Sequence, residues 1–177
     1  CVTGGEPTLH PELPQLLKAI RSLGLLVKLD TNGCYPDALP LHDVDFVAMD
    51  LKTVPARYAA TVAGRRGFDW SGAVRESLHR IACGPVEHEI RITVAPGIVD
   101  DEMVPELAAL VRANRGLVLQ QFSPGVTLDP AFATVRPYPD QTILDMQSYF
   151  QALGVPTFVR LGRSISSPSP LAVFNSD

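Results

Sequence analysis

The chain has 177 residues, 46% of them hydrophobic and 19% charged, with a formal net charge of −4. That length supports one sizeable core and one domain, the composition excludes a disordered polypeptide, and no apolar run reaches the ~18 residues of a membrane span. An acidic balance without a basic cluster argues against nucleic acid as a partner, because binding phosphates needs concentrated Lys and Arg.

In chain order the pattern alternates strand and helix. Cys1 to Thr3 reads as the end of a strand, followed by Gly4-Gly5-Glu6-Pro7. Adjacent glycines let the backbone turn sharply and approach a ligand with no Cβ in the way, and Pro7 fixes the exit. Taken alone, the same string is also an ordinary strand-to-helix turn. From Pro11 to Leu23 the apolar positions Leu13, Leu16, Leu17, Ile20 and Leu23 fall at helical spacing, and Gly24 supplies the stop. Strands are expected over 25–30 and 44–51, then a helix over 71–82 in which Val74, Leu78 and Ile81 share a face.

Residues 89–95 alternate and end at Pro96-Gly97, which reads as strand then turn. A helix over 104–111, a strand over 116–122, a helix over 141–153 and a last β-branched and aromatic run over 155–161 complete the series. Residues 163–177 carry Ser-Ile-Ser-Ser-Pro-Ser-Pro without periodicity and are expected to form a disordered tail, leaving residues 1–162 as the domain.

Alternating strands and helices imply an α/β fold with a parallel sheet, either an open doubly wound sheet or a barrel. Polar residues gather at the carboxyl ends of the predicted strands: Gly4-Gly5-Glu6, Asp30-Thr31-Asn32, Asp50 with Lys52, Pro96-Gly97 and Gln120-Gln121. This is where α/β barrels build their active sites. The cysteines, Cys1, Cys34 and Cys83, are far apart and have no metal-ligand spacing, so all three read as buried free thiols in a reducing compartment, the cytoplasm. Asp30, Thr31 and Asn32 are equally apt for turn chemistry before Gly33, and Asp50 with Lys52 for a surface pair. Arg91, between Ile90 and Ile92, is either an inward charge at a barrel mouth or an exposed edge residue. No signal peptide pattern is visible, and a start upstream of Cys1 would hide one.

The strings Gly4-Gly5-Glu6-Pro7, Leu29-Asp30-Thr31-Asn32-Gly33 and Ala48-Met49-Asp50-Leu51-Lys52, in that order, resemble the radical S-adenosylmethionine superfamily. Within it, those segments and Val118 to Gly125 look most like activating proteins of anaerobic ribonucleoside-triphosphate reductases, over roughly residues 1 to 161. The resemblance implies a partial TIM-like barrel lacking its first strand and helix, with C-x3-C-x2-C, the motif that binds the [4Fe–4S] cluster, belonging upstream of Cys1. It implies reductive cleavage of S-adenosylmethionine to make a glycyl radical on an anaerobic ribonucleotide reductase or another glycyl-radical enzyme, with flavodoxin or ferredoxin as electron donor. As it stands, the chain is then an inactive fragment, expected to hold no cluster and to be only marginally stable around an exposed strand edge.

The same resemblance assigns cofactor contacts to Gly4, Gly5, Glu6, Asp30, Asn32, Asp50, Lys52 and Gln121, and a monovalent cation to Asp30, Thr31 and Asp50. A zwitterionic cofactor bearing a sulfonium needs acceptors for its ammonium and a cation for its carboxylate, which the Gly4-Gly5 carbonyls, Asp50 and Lys52 supply. The competing readings are a non-catalytic cofactor-binding or structural relic of the fold, and a barrel enzyme acting on a phosphorylated metabolite. The latter calls for a glycine-rich phosphate loop near the last strands, and none is evident there.

Overall fold

The computed structural model describes residues 1–62, 67–125, 127 and 129–162. Five strands, β1 (Lys28–Thr31), β2 (Phe46–Asp50), β3 (Glu87–Val94), β4 (Leu117–Gln121) and β5 (Thr157–Arg160), form one sheet in sequential order. Every neighbouring pair is parallel. The helices are α1 (Leu13–Ser22), α2 (Tyr58–Thr61), α3 (Trp70–Cys83), α4 (Val104–Val111) and α5 (Asp140–Ala152). The tail expected over 163–177 lies outside the described residues.

Sequential order decides between the two architectures that the sequence leaves open. A doubly wound sheet reverses its strand order at a switch point, whereas here each strand is added on the same side of its predecessor. Right-handed crossovers then put every connecting helix on one face, as in the wall of an α/β barrel. The core bears this out. Leu17, Leu78, Leu107 and Ile143 from four helices join Leu29, Val47, Ile90, Leu117 and Val159 from the five strands in one buried cluster.

Strand side chains alternate, so the registers sort the rest. Asp30 pairs with Ala48, Asp50 with Arg91, and Gln120 with Arg160, which places Lys28, Asp30, Asp50, Glu89, Arg91, Gln120 and Arg160 on the face away from the helices. Glu89 is fully buried there, and both its carboxylate oxygens accept from Arg160 Nη2, at 3.2 and 3.0 Å.

The helix expected over 104–111 has the expected ends, the other predicted helices and strands are present with shifted ends, the strand end expected over Cys1 to Thr3 is a single bridge at Val2, and α2 is an addition. The first helix begins at Leu13 rather than Pro11, and of its five-residue stripe only Leu13 and Leu17 are buried, while Leu16 is 49% and Leu23 74% exposed. The physical reason lies in the sheet. Beyond β1 it extends only by a single parallel bridge, Val2 to Leu29, so the outer part of the stripe overhangs the edge with Leu9, Leu25 and Leu26. Those last two residues are exposed, and β1 accordingly starts at Lys28, three residues later than expected.

Candidate functional site

The site begins at the glycine turn. Val2 donates its N–H to Lys28 O at 2.8 Å and accepts from Asp30 N at 3.0 Å, which fixes the start of the chain beside β1. Gly4 and Gly5 then take φ values of +93° and +57°, and a Cβ at either would meet nothing within 4 Å. Their need for glycine is therefore conformational, since the left-handed region disfavours side chains. Among the described residues no backbone N–H donates to the carbonyls of Thr3, Gly4 or Gly5, so these acceptors remain open.

Glu6 holds this turn in place. Its carboxylate is 7% exposed and accepts from Thr8 N at 3.2 Å, the Thr8 hydroxyl, Thr31 Oγ1 at 2.8 Å and Asn32 N at 2.7 Å. The geometry thus has Glu6 holding the turn. The Asn32 side chain is also used locally, accepting from Cys34 N at 2.9 Å. Gly33 sits at φ +68° so close to Met49 that an added Cβ would stand 2.1 Å from its Cε. Cys34 is buried, and burial, then the negative charge of Glu6, pushes its thiol up to about 11.

Next to the turn, β1, β2 and β3 bring five charges together. Arg91 Nε donates to Asp50 Oδ1 at 2.7 Å and its Nη1 to Asp30 Oδ2 at 3.1 Å. Lys52 Nζ donates to Asp50 Oδ2 at 2.9 Å. Lys28 Nζ lies 3.1 Å from Asp30 Oδ1, near enough for attraction but outside hydrogen-bond geometry. Burial opposes the charge on Arg91, yet Asp50 and then Asp30 outweigh it and hold its proton more tightly than usual.

Three cations against two carboxylates leave the cluster with one net positive charge. Lys52 is the most exposed cation, with 41% of its side chain accessible against 15% for Arg91 and 22% for Lys28. Its own backbone is fixed from below, because Lys52 N donates to the hydroxyl of fully buried Tyr58 at 2.9 Å, and burial pushes that phenol well above its ordinary range.

Two predicted site residues are not brought to this cluster. Thr31 faces the helix side, where its hydroxyl donates to Glu6 and accepts from Gly33 N at 3.1 Å. Gln121 likewise turns away, its Nε2 donating to Tyr138 O and Asp140 Oδ1, both at 2.9 Å, while its neighbour Gln120 lies on the polar face. Around the rest of the rim the loops are tied together. Thr53 Oγ1 donates to Ile98 O at 2.7 Å, Arg57 Nη2 to Gly97 O at 2.7 Å, and Tyr138 to Asp100 Oδ1 at 2.6 Å. That last bond pushes the Tyr138 phenol up to about 12.

Arg91 carries the cluster, and sequence reasoning left its direction open. The signal was the alternation Glu89-Ile90-Arg91-Ile92, in which two isoleucines claim the helix side. A cleft of about 300 Å3 is lined by Thr3 and Gly4 of the glycine turn together with Pro7, His10, Leu13 and Leu16, and none of the five clustered charges lines it. Among the described residues no three His, Cys, Asp or Glu side chains are placed to hold a metal ion. Of the three cysteines expected to be buried only Cys34 is, Cys1 and Cys83 being exposed, and this set does not fit the thiolate requirement of an iron–sulfur cluster.

Comparison with solved structures decides the fold. A domain of the pyruvate-formate lyase-activating enzyme from Bacteroides vulgatus superposes with a TM-score of 0.67 at 18% identity, over 89% of this chain and 96% of that one. A radical S-adenosylmethionine methyltransferase from Sphaerobacter thermophilus gives 0.67 at 18% identity, over 90% of this chain and 49% of that one. The chain has the radical S-adenosylmethionine fold.

In sequence, this radical S-adenosylmethionine fold is similar to a Methanocaldococcus jannaschii protein named for glycyl-radical enzyme activation, with 28% identity over 137 residues. The match takes in 74% of this chain and 57% of the relative. A second such protein from that organism is 29% identical over 114 residues, 60% of this chain and 42% of its own length. The chain thus spans about half the length of these curated relatives. No family model matches it. Among the described residues no helix is long and apolar enough to cross a membrane.

Proposed function

We propose that the cluster and the glycine turn bind S-adenosylmethionine, and that the chain belongs to a radical enzyme that installs a glycyl radical on a partner protein. The observation that carries this is the pairing of open carbonyls at Gly4 and Gly5 with a neighbouring cluster of net charge +1. One half suits an ammonium and the other a carboxylate, the two charged ends of an amino acid. The carbonyls of Gly4 and Gly5 accept from the ammonium, and Lys52 pairs with the carboxylate as a point charge.

Asp50 orients Lys52, while Asp30 acts through Arg91 to keep Asp50 in place. Glu6 and Asn32 act by shaping the turn, and Gln121 by fixing the Tyr138 loop. S-adenosylmethionine held there would, on reductive cleavage, supply the radical that takes hydrogen from a glycine of the partner, and an iron–sulfur centre would supply the electron. The cysteines of this chain are not assigned to that centre. An anaerobic ribonucleotide reductase is the narrower choice of partner, drawn from the Val118 to Gly125 string, and flavodoxin or ferredoxin the donor.

Calorimetry of S-adenosylmethionine binding tests the site. Lys52→Ala is expected to weaken binding by about 1–3 kcal/mol, the scale of a charge-assisted hydrogen bond, and Asp50→Ala to behave similarly. Affinities equal to the parent's in both variants would leave the pair a solvated surface bridge and end the proposal.

A further inference from the structure

The four carboxylate oxygens of Asp30 and Asp50 each face a side-chain nitrogen. Arg91 takes Asp50 Oδ1 and Asp30 Oδ2, Lys52 takes Asp50 Oδ2, and Lys28 stands by Asp30 Oδ1. The third group expected to ligate a monovalent cation, the Thr31 hydroxyl, is directed to the opposite face and engaged with Glu6. These residues do not fit a bound metal cation, because the space between the two carboxylates already holds a guanidinium and the remaining lone pairs face ammonium groups.

We propose that Arg91 is a built-in cation. Reaching from β3, it joins the ends of β1 and β2 in the way a bound Na+ or K+ would, and makes the site independent of monovalent salt. A guanidinium suits the task because its planar fork donates in two directions at once and stays charged at any working pH. It also takes one oxygen of Asp50 from Lys52, which is left held by the other oxygen alone and free to turn toward a ligand. Arg91 is thus a positioning residue: removing it should unbalance two carboxylates and open a cation site between them.

The experiment uses the chain without S-adenosylmethionine, so its outcome is independent of the binding proposal above. The thermal midpoint is measured in NaCl, KCl and tetramethylammonium chloride at equal ionic strength, with 205Tl NMR titration as a direct probe of monovalent cation binding. The parent is expected to melt at one temperature in all three salts and to give no saturable thallium broadening. Arg91→Met should melt lower in tetramethylammonium and recover by about 3–6 °C in Na+ or K+, as ligand linkage predicts for a site filled about tenfold over its Kd. Arg91→Lys should, like the parent, gain nothing from Na+ or K+, because its ammonium keeps a positive charge between the carboxylates, while melting lower because it lacks the planar fork.

Saturable thallium binding by the parent that disappears in Asp50→Asn would overturn the proposal, even if Arg91→Met failed to fold. A folded Arg91→Met that gains nothing from Na+ or K+ would overturn it as well.

Discussion

The two faces of the sheet solve opposite problems. On the helix side, Leu29, Val47, Met49, Ile90, Ile92, Leu117 and Leu119 are all 0% exposed, and their contribution is the area they remove from water. On the other side Asp30 and Asp50, toward the ends of β1 and β2, meet Arg91 from the middle of β3, where ion pairs contribute little net stability but fix positions closely. The same five strands therefore carry stability on one surface and geometry on the other. Because alternation separates the two sets, the polar one can be specialised without disturbing the core.

The largest effect that would break this contrast belongs to the dry face. Ile92→Ala should cost about 2–5 kcal/mol in a denaturant melt, the range for truncating a buried aliphatic side chain. A loss below that of the charged-face variants would mean that the polar surface carries the fold. Next comes Glu6→Ala, which leaves the donors of Thr8, Thr31 and Asn32 without their acceptor and should cost about 2–3 kcal/mol. Because Glu6 connects the glycine turn to β1, Glu6→Ala should also speed amide exchange at Asn32 more than at Ile92. Equal protection at both amides would show that the turn does not depend on this carboxylate.

A smaller effect sharpens the contrast at the opposite end of the strands. His88 is 3% exposed, with Nδ1 3.2 Å from Val86 O and Nε2 accepting from Arg115 N at 3.2 Å, an arrangement that needs the neutral ring. Burial lowers its pKa, and of the flanking charges Arg115 lowers it further while Glu87 raises it. The unfolded chain then binds the proton more readily, so the contribution of His88 is fully present above the unfolded value of about 6.5 and is lost as pH falls below it. Melts between about pH 7 and pH 5 should show stability declining with acid, and His88→Gln should flatten that decline. An unchanged slope would place the acid sensitivity elsewhere.

How much of this was legible in the sequence differs between the faces. Val104–Val111 ends where the periodicity ends, and the glycine turn was readable because two adjacent glycines before Glu-Pro restrict what the backbone does next. The Asp50 to Lys52 string likewise marked a strand end. Leu16 and Leu23 show the limit: they continue the helical stripe but face solvent, because periodicity says which residues share a face and nothing about whether that face is covered. Gln121 shows another, since a pair of adjacent glutamines cannot reveal which of them points to which side.

Local pattern by itself determined the alternation of strands and helices and the polar residues at the strand ends, because periodicity and turn chemistry act within a few residues. Only the tertiary structure decided that the strands add in one direction, that Arg91 spans 41 residues to Asp50 and 61 to Asp30, and that Thr31 and Gln121 face away. The physical reason is register. Parallel strands are joined through helices, so their alignment is set by how the apolar faces pack, and a slip of one residue would move every charge on the polar face to the dry one.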